Sequence, residues 1–180
     1  MRKLTASFFM SLDGIVDAPQ DWHFPYMDAQ MLGAASATMA ASDTILLGRT
    51  TFEEFASAWP DRSGDMADYF NQTPKYVAST TLESVDWQNS TVLRGDVAAA
   101  VKRLKEQDGR EISVTGSGTL VRSLLAADLV DELRVMLHPV VVGRGKHLFE
   151  DAADAKGFKL AASETFSTGV LNLTYVPARR

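Results

Sequence analysis

Three strand-like runs in this chain end in the same kind of residues. Ile45-Leu46-Leu47 gives way to Gly48-Arg49-Thr50-Thr51, Ala78 to Ser79-Thr80-Thr81, and Thr115 to Gly116-Ser117-Gly118-Thr119. Short apolar runs that alternate with helical patterns restrict the chain to an α/β layer fold. In an open α/β sheet, ligands bind beyond the carboxyl ends of the strands. Glycine there lets the backbone approach a ligand, and a following helix offers free N–H groups and partial positive charge. Arg49 adds a permanent cation with a planar donor fork, and Thr50 or Thr51 is placed to cap the helix through Phe52-Glu53-Glu54-Phe55. One such end is an ordinary turn, because turns favour these residues. Three together point to an extended ligand carrying several phosphates.

The remaining segments fit the same alternation. Leu4–Met10 reads as the first strand and stops at Ser11-Leu12-Asp13-Gly14, a turn signal. Residues 14–26 read as loop, and Met27–Ala41, rich in alanine and methionine, as helix. Strands are expected at Thr44–Leu47, Lys75–Ser79, Thr91–Leu93, Glu111–Thr115 and Asp131–His138. Helices are expected at Thr51–Ser57, Val97–Gln107 and Thr119–Ala127, while Asp61–Asn71 shows no clear pattern. Phe158–Thr165 and Val170–Pro177 read as a closing antiparallel pair, which makes the sheet mixed.

Composition narrows the function. The 180 residues suggest a single domain, 1–180, and a net charge of −5 argues against nucleic acid as a partner. Cysteine is absent, and His23, His138 and His147 lie far apart without ligand spacing, which argues against a metal site. No apolar window has the length of a membrane span, and Asp13 and Asp17 interrupt the N-terminal apolar run early, so the expected location is the cytoplasm. Neither a Gly-Lys-Ser/Thr phosphate loop nor a Rossmann glycine motif after the first strand is present.

Leu47-Gly48-Arg49-Thr50-Thr51-Phe52-Glu53 resembles the Met-Gly-Arg-x-Thr-Phe/Trp-Glu signature of dihydrofolate reductases. Val114–Leu120 and Leu129-Val130-Asp131-Glu132-Leu133 resemble the glycine motif and the following strand start of that superfamily. Ser7–Gly14 and Pro139-Val140-Val141-Val142-Gly143 are closer to the reductase domain of riboflavin biosynthesis. The resemblance covers nearly the whole chain in order. It implies a dihydrofolate-reductase-like fold of three layers, with helices on both faces of a mostly parallel sheet. It also implies NADPH as hydride donor, a small heterocyclic or ribosylamino-pyrimidine substrate, and a homodimer.

Carried over residue by residue, the resemblance assigns cofactor binding to Gly48, Arg49, Thr50, Thr51, Ser79, Thr80, Gly116, Ser117, Gly118, Thr119 and Leu120. It lays Ala6 against the nicotinamide and puts Asp13 near the reaction centre. Trp22-His23-Phe24-Pro25 is similar to the Trp-x-x-Pro segment of dihydrofolate reductases, where an acidic residue follows two places on. Here that place holds Met27, and Asp28 comes one step later, about 100° round a helix. Thr115 stands where the riboflavin reductase has a glutamate, and the deaminase zinc motif is lacking. The expected catalytic residues are therefore Asp13 and Asp28, and the substrate contacts Trp22, Phe24 and Thr115. Each also has a plainer reading: turn aspartate for Asp13, helix-start aspartate for Asp28, and a seal between loop and core for the two aromatics. His138 reads as a strand residue without a chemical role. Dihydrofolate reduction and a non-catalytic NADP(H)-binding module are the alternative functions.

Overall fold

β1 (Leu4–Ser11) runs through the middle of an eight-stranded sheet in the computed structural model, which describes residues 1–150 and 155–178. Around it are β2 (Ser42–Gly48), β3 (Lys75–Ala78), β4 (Ser90–Leu93), β5 (Glu111–Thr115), β6 (Glu132–His138), β7 (Phe158–Thr165) and β8 (Leu171–Pro177). The helices are α1 (Ala29–Ala41), α2 (Arg49–Ala58), α3 (Asp65–Gln72), α4 (Val97–Glu106) and α5 (Gly118–Ala126). Strand order is β4-β3-β2-β5-β1-β6-β8-β7. All neighbours are parallel except β6–β8 and β8–β7, so the closing antiparallel pair is present.

Strand alternation sorts the side chains into two layers. Leu4, Ala6, Phe8, Leu46, Ile112 and Val114 face one side and pack with Val101 and Leu104 of α4 and Val121 and Leu124 of α5. Ile45, Leu47 and Val77 face the other side and meet Phe52 of α2, Phe70 of α3 and Trp87. Asp131, in the middle of the Leu-Val-Asp-Glu-Leu stretch, serves this frame. Its carboxylate accepts from the Leu4 N–H at 2.8 Å and pairs with the buried Lys105 ammonium.

Most element boundaries shift by one or two residues from the sequence reading, and two of these shifts bear on the site. α2 begins at Arg49 with Gly48 as N-cap, so neither Thr50 nor Thr51 caps it. α1 begins at Ala29, because Asp28 takes the N-cap position and Met27 stays extended. One helix, α3, lies in the polar segment that showed no clear pattern. Its buried Ala67 and Phe70, with Met66 and Tyr69 beside them, occupy one helical face spaced by three and four residues.

Because β3, β2, β5 and β1 are parallel neighbours, their carboxyl ends share one edge of the sheet. The three similar strand ends identified in the sequence are thereby placed side by side.

Candidate active site

A cleft of about 1370 Å³ opens at that edge. It continues between α1 and the sheet face carrying Ser7, Ser113, Thr115 and Arg134. Gly48 to Thr51, Ser79, Thr80 and Gly116 to Leu120 all line it.

The first and third loops are locked together. The Ser117 hydroxyl accepts from the Gly48 N–H at 2.7 Å and donates to the Thr51 hydroxyl at 3.0 Å. A Cβ on Gly48 would lie 3.0 Å from the Ser117 Oγ, and one on Gly116 would lie 3.2 Å from Thr51. Gly116 and Ser117 are both left-handed, with φ of 63° and 60°. Glycine at 48 and 116 thus serves the approach of one loop to the other as well as to a ligand. The consequence is electrostatic. α2 and α5 begin beside each other at the cleft, and neither has a side-chain cap. Their first N–H groups and the positive ends of both dipoles share one pole, suited to a diphosphate. Arg49 stands half exposed at its rim, 3.5 Å from Glu53. Ser79 turns the second loop by accepting from the Thr81 and Leu82 N–H groups at 3.2 and 3.0 Å.

The Ala6 side chain is fully buried in the core and does not line the cleft, whereas that of its neighbour Ser7 does. Thr115 and Phe24 do line the cleft. Trp22 is among the buried residues instead. Its indole N–H donates to the Asp17 carbonyl at 3.1 Å and its ring stands edge-on to His138, so it seals the loop to the core.

Both expected carboxylates are committed elsewhere. Asp13 accepts from the Ser11 hydroxyl at 2.5 Å and from the Val142 and Gly143 N–H groups at 3.1 and 2.7 Å. These bonds, the serine's first, lower its pKa to about 2. They also join the Ser-Leu-Asp-Gly turn to the Val-Val-Val-Gly stretch. Asp28 accepts from the Met31 N–H and the Ser167 hydroxyl, both at 2.8 Å, which lowers its pKa. Neither residue lines the cleft. Asp13→Asn is expected to loosen the 140–143 loop and lower the melting temperature modestly, with NADPH affinity unchanged in a fluorescence titration. Its stabilising effect is complete above the ordinary carboxylate range and is lost as pH falls toward 2.

Sequence reasoning passed over several residues that the topology brings to the cleft. Arg122 of α5 donates to the Leu148 carbonyl at 3.0 Å and the Thr119 hydroxyl at 3.1 Å, tying the 147–148 segment to the α5 start. Lys146 and His147 join it along the cleft wall. His23 lines the cleft with its ring stacked on Phe9 at 4.7 Å. His138 lies behind it, fully buried.

Burial lowers the pKa of both histidines, and charge on His138 adds to the lowering at His23. The unfolded chain therefore takes up protons first as pH falls below about 6.5. Stability is expected to be complete above that value and to decline below it in urea titrations. His138→Phe is expected to flatten the decline.

The family model of the RibD C-terminal domain matches residues 2–172. The chain belongs to the RibD C-terminal domain family. The Bacillus subtilis strain 168 uncharacterized protein YyaP is 30% identical over 182 residues, covering 97% of this chain and 94% of that protein. Among solved structures, a Shewanella sp. PV-4 protein named for riboflavin biosynthesis superposes with TM-score 0.78 at 21% identity, covering 98% and 99% of the two chains. Enterococcus faecalis dihydrofolate reductase, solved with NADP(H), superposes at 0.70 with 14% identity over 98% and 97%. The fold of this family member is thus the dihydrofolate-reductase-like α/β fold expected from the motifs.

Proposed function

We propose that this RibD C-terminal domain family member is an NADPH-dependent reductase. The observation that carries the reading is the pair of uncapped helix N-termini, α2 and α5, joined through Ser117 at one end of the cleft. This pole fits a pyrophosphate. Gly48, Thr50, Thr51 and Gly116 to Leu120 would hold it, and Arg49, Ser79 and Thr80 lie on the side assigned to the adenosine phosphate. NADPH supplies a hydride when bound. The chain's own part is to bind, orient and exclude water. Ser7, Thr115, His23 and Phe24 line the space left for a substrate. The substrate class favoured by family is a ribosylamino-pyrimidine. Dihydrofolate is the weaker reading, since Asp28 caps α1 and bonds Ser167.

The commitment of Asp13 and Asp28 outside the cleft favours one alternative, a module that binds NADP(H) without turnover. Titration with NADPH tests the first claim, and loss of NADPH absorbance with a ribosylamino-pyrimidine tests the second. Binding without oxidation would leave the module. Arg49→Ala is expected to weaken NADPH about five- to tenfold while changing NADH little, because a charge-assisted bond to the extra phosphate is lost at a solvent-exposed position. Equal losses for both cofactors would assign Arg49 to the pyrophosphate instead.

The same reading includes a homodimer. α1 is apolar on every side, yet only Met31 is buried, and Leu32 is 46% exposed. β7 is exposed along almost its whole length. A helix of that composition is normally covered. Light scattering on the purified protein tests this. Among the described residues no helix is long and apolar enough to cross a membrane, which fits the cytoplasmic setting we propose.

A further inference from the structure

Four polar side chains stand in one row across the sheet, on the face beneath α1. Ser7 of β1 pairs with Thr115 of β5 on one side and with Arg134 of β6 on the other, and Arg134 pairs with Thr174 of β8. Partners in register share a face, about 4.8 Å apart from strand to strand. All four line the cleft. Two residues further along β1 and β6, Phe9 and Met136 pack with Met31 of α1. A face that served only to seat α1 would be apolar throughout, as it is there. At the Ser7 row it is polar, and the cleft runs between helix and sheet. The Gly116 nitrogen lies 3.5 Å from the Ser7 carbonyl, so the row begins where the third loop ends.

The row holds a cation whose charge is already met. Arg134 Nη2 donates to Glu132 at 2.7 Å and to Glu111 at 3.3 Å, and Glu132 also pairs with Lys3. Two cations and two carboxylates leave this group without net charge. Both Arg134 bonds leave from one of its three nitrogens, and its side chain stays 22% exposed. It is a source of N–H donors without an uncompensated charge. Glu164, paired with Asn172 beside the row, adds a carboxylate to the cleft wall. An anion laid here would meet carboxylates on two sides, and like charges repel. The Ser7 hydroxyl is turned into the protein, where its oxygen is buried without a partner among the described residues. Buried polar groups are normally bonded. A hydroxyl with no bond to give up swings to another staggered rotamer at little cost, and Ser7 lines the cleft.

We propose that the row of Thr115, Ser7, Arg134 and Thr174 is the floor on which the substrate lies, and that it selects an uncharged group bearing carbonyl or hydroxyl oxygens over an anionic one. Ser7 and Arg134 donate to that group. The row spans three strand spacings, about 14 Å, which is longer than one pyrimidine ring and enough for a ring with an attached sugar. The two parts of the cleft thus differ in kind. The pole at the α2 and α5 starts attracts phosphate, and the row turns it away. This rests on the proposed reductase reading only for calling the molecule a substrate; the preference of the row does not depend on NADPH.

Uridine and orotidine test the proposal, since orotidine is the same nucleoside with a carboxylate on the ring. Proton–nitrogen correlation NMR of the cofactor-free protein reads which residues each one touches. Uridine is expected to shift the Ser7 and Thr115 amides and the Arg134 Nε–H, and orotidine to need about tenfold more to do the same. Equal shifts of these groups by both, or none with uridine, would overturn the proposal. Orotidine shifts confined to Gly48 and Ser117 support it, because they report the anion pole. Ser7→Ala is expected to weaken uridine about three- to tenfold, the loss of one hydrogen bond, with the melting temperature unchanged or slightly raised. Unchanged uridine affinity, or a lowered melting temperature, would overturn the role of Ser7. Glu164→Gln is expected to narrow the gap between the two nucleosides, and an unchanged gap would overturn the part given to that carboxylate. A parallel NADPH titration tests the reductase reading separately, since its failure leaves the nucleoside preference unchanged.

Discussion

Gly48→Val is expected to weaken NADPH binding by roughly 10²- to 10⁴-fold, because charge-assisted hydrogen bonds are worth about 1.5–3 kcal/mol each and at least two are lost. The backbone at position 48 has φ −80° and ψ 164°, which valine adopts freely. The effect therefore comes from space. A Cβ at 3.0 Å from the Ser117 Oγ and 3.2 Å from its Cβ cannot be housed while the two loops keep their separation. Pushing them apart breaks the Gly48-to-Ser117 bond and the Ser117-to-Thr51 bond, and it separates the two helix starts that form the anion pole.

Ser117→Gly supplies the control. Position 117 is left-handed, so glycine suits its backbone, and the change removes both atoms that the valine would strike. The double variant Gly48→Val/Ser117→Gly is expected to recover much of the lost affinity. Equal binding by wild type and Gly48→Val would disconnect this junction from the cofactor. Calorimetric titration with NADPH measures all four proteins, and a melting curve for each separates lost binding from lost folding.

How far the sequence led depends on how local each signal was. The Gly48, Ser79 and Gly116 ends were legible because strand, turn and helix start lie within a few residues of one another. Parallel pairing of β3, β2 and β5 then supplied the juxtaposition. The burial of the Ala6 side chain was not legible locally, because its buried neighbours Val114 and Leu46 come from other strands. Asp13 could be read as a turn residue or as a catalyst, and its partners Val142 and Gly143 come from 129 and 130 residues away. α3 was hidden because its apolar face is short and flanked by Asp65 and Asp68. The row of Thr115, Ser7, Arg134 and Thr174 needs four strands at once, and no local pattern announces it.

Lys75→Ala is expected to destabilise the fold by about 3–5 kcal/mol, the range for removing one partner of a buried charged cluster. Lys75 begins β3 and is only 1% exposed. Its ammonium donates to the carbonyls of Phe70, Asn71 and Thr73 at 2.7, 3.3 and 2.9 Å, closing the end of α3. It also lies 4.4 Å from the centre of the Trp87 ring, whose indole N–H donates to the Asn71 side chain at 2.8 Å. A cation at a helix C-terminus is favoured by the dipole, and the aromatic face adds to it. Burial pulls the pKa of the ammonium down to about 8. Deleting the side chain removes a donor from the Phe70 and Thr73 carbonyls, while that of Asn71 keeps the Asn89 side-chain amide at 3.1 Å, and it opens a cavity beneath Trp87. Lys75→Met separates these two effects, since it fills the stem's volume without donating a hydrogen bond. It is expected to recover about 1–2 kcal/mol of the loss and no more, because unpaired buried carbonyls cost about 1–3 kcal/mol each. Urea unfolding followed by Trp fluorescence measures both variants. A methionine variant as stable as wild type would mean that apolar packing alone joins α3 to β3, and the ammonium would lose its structural role.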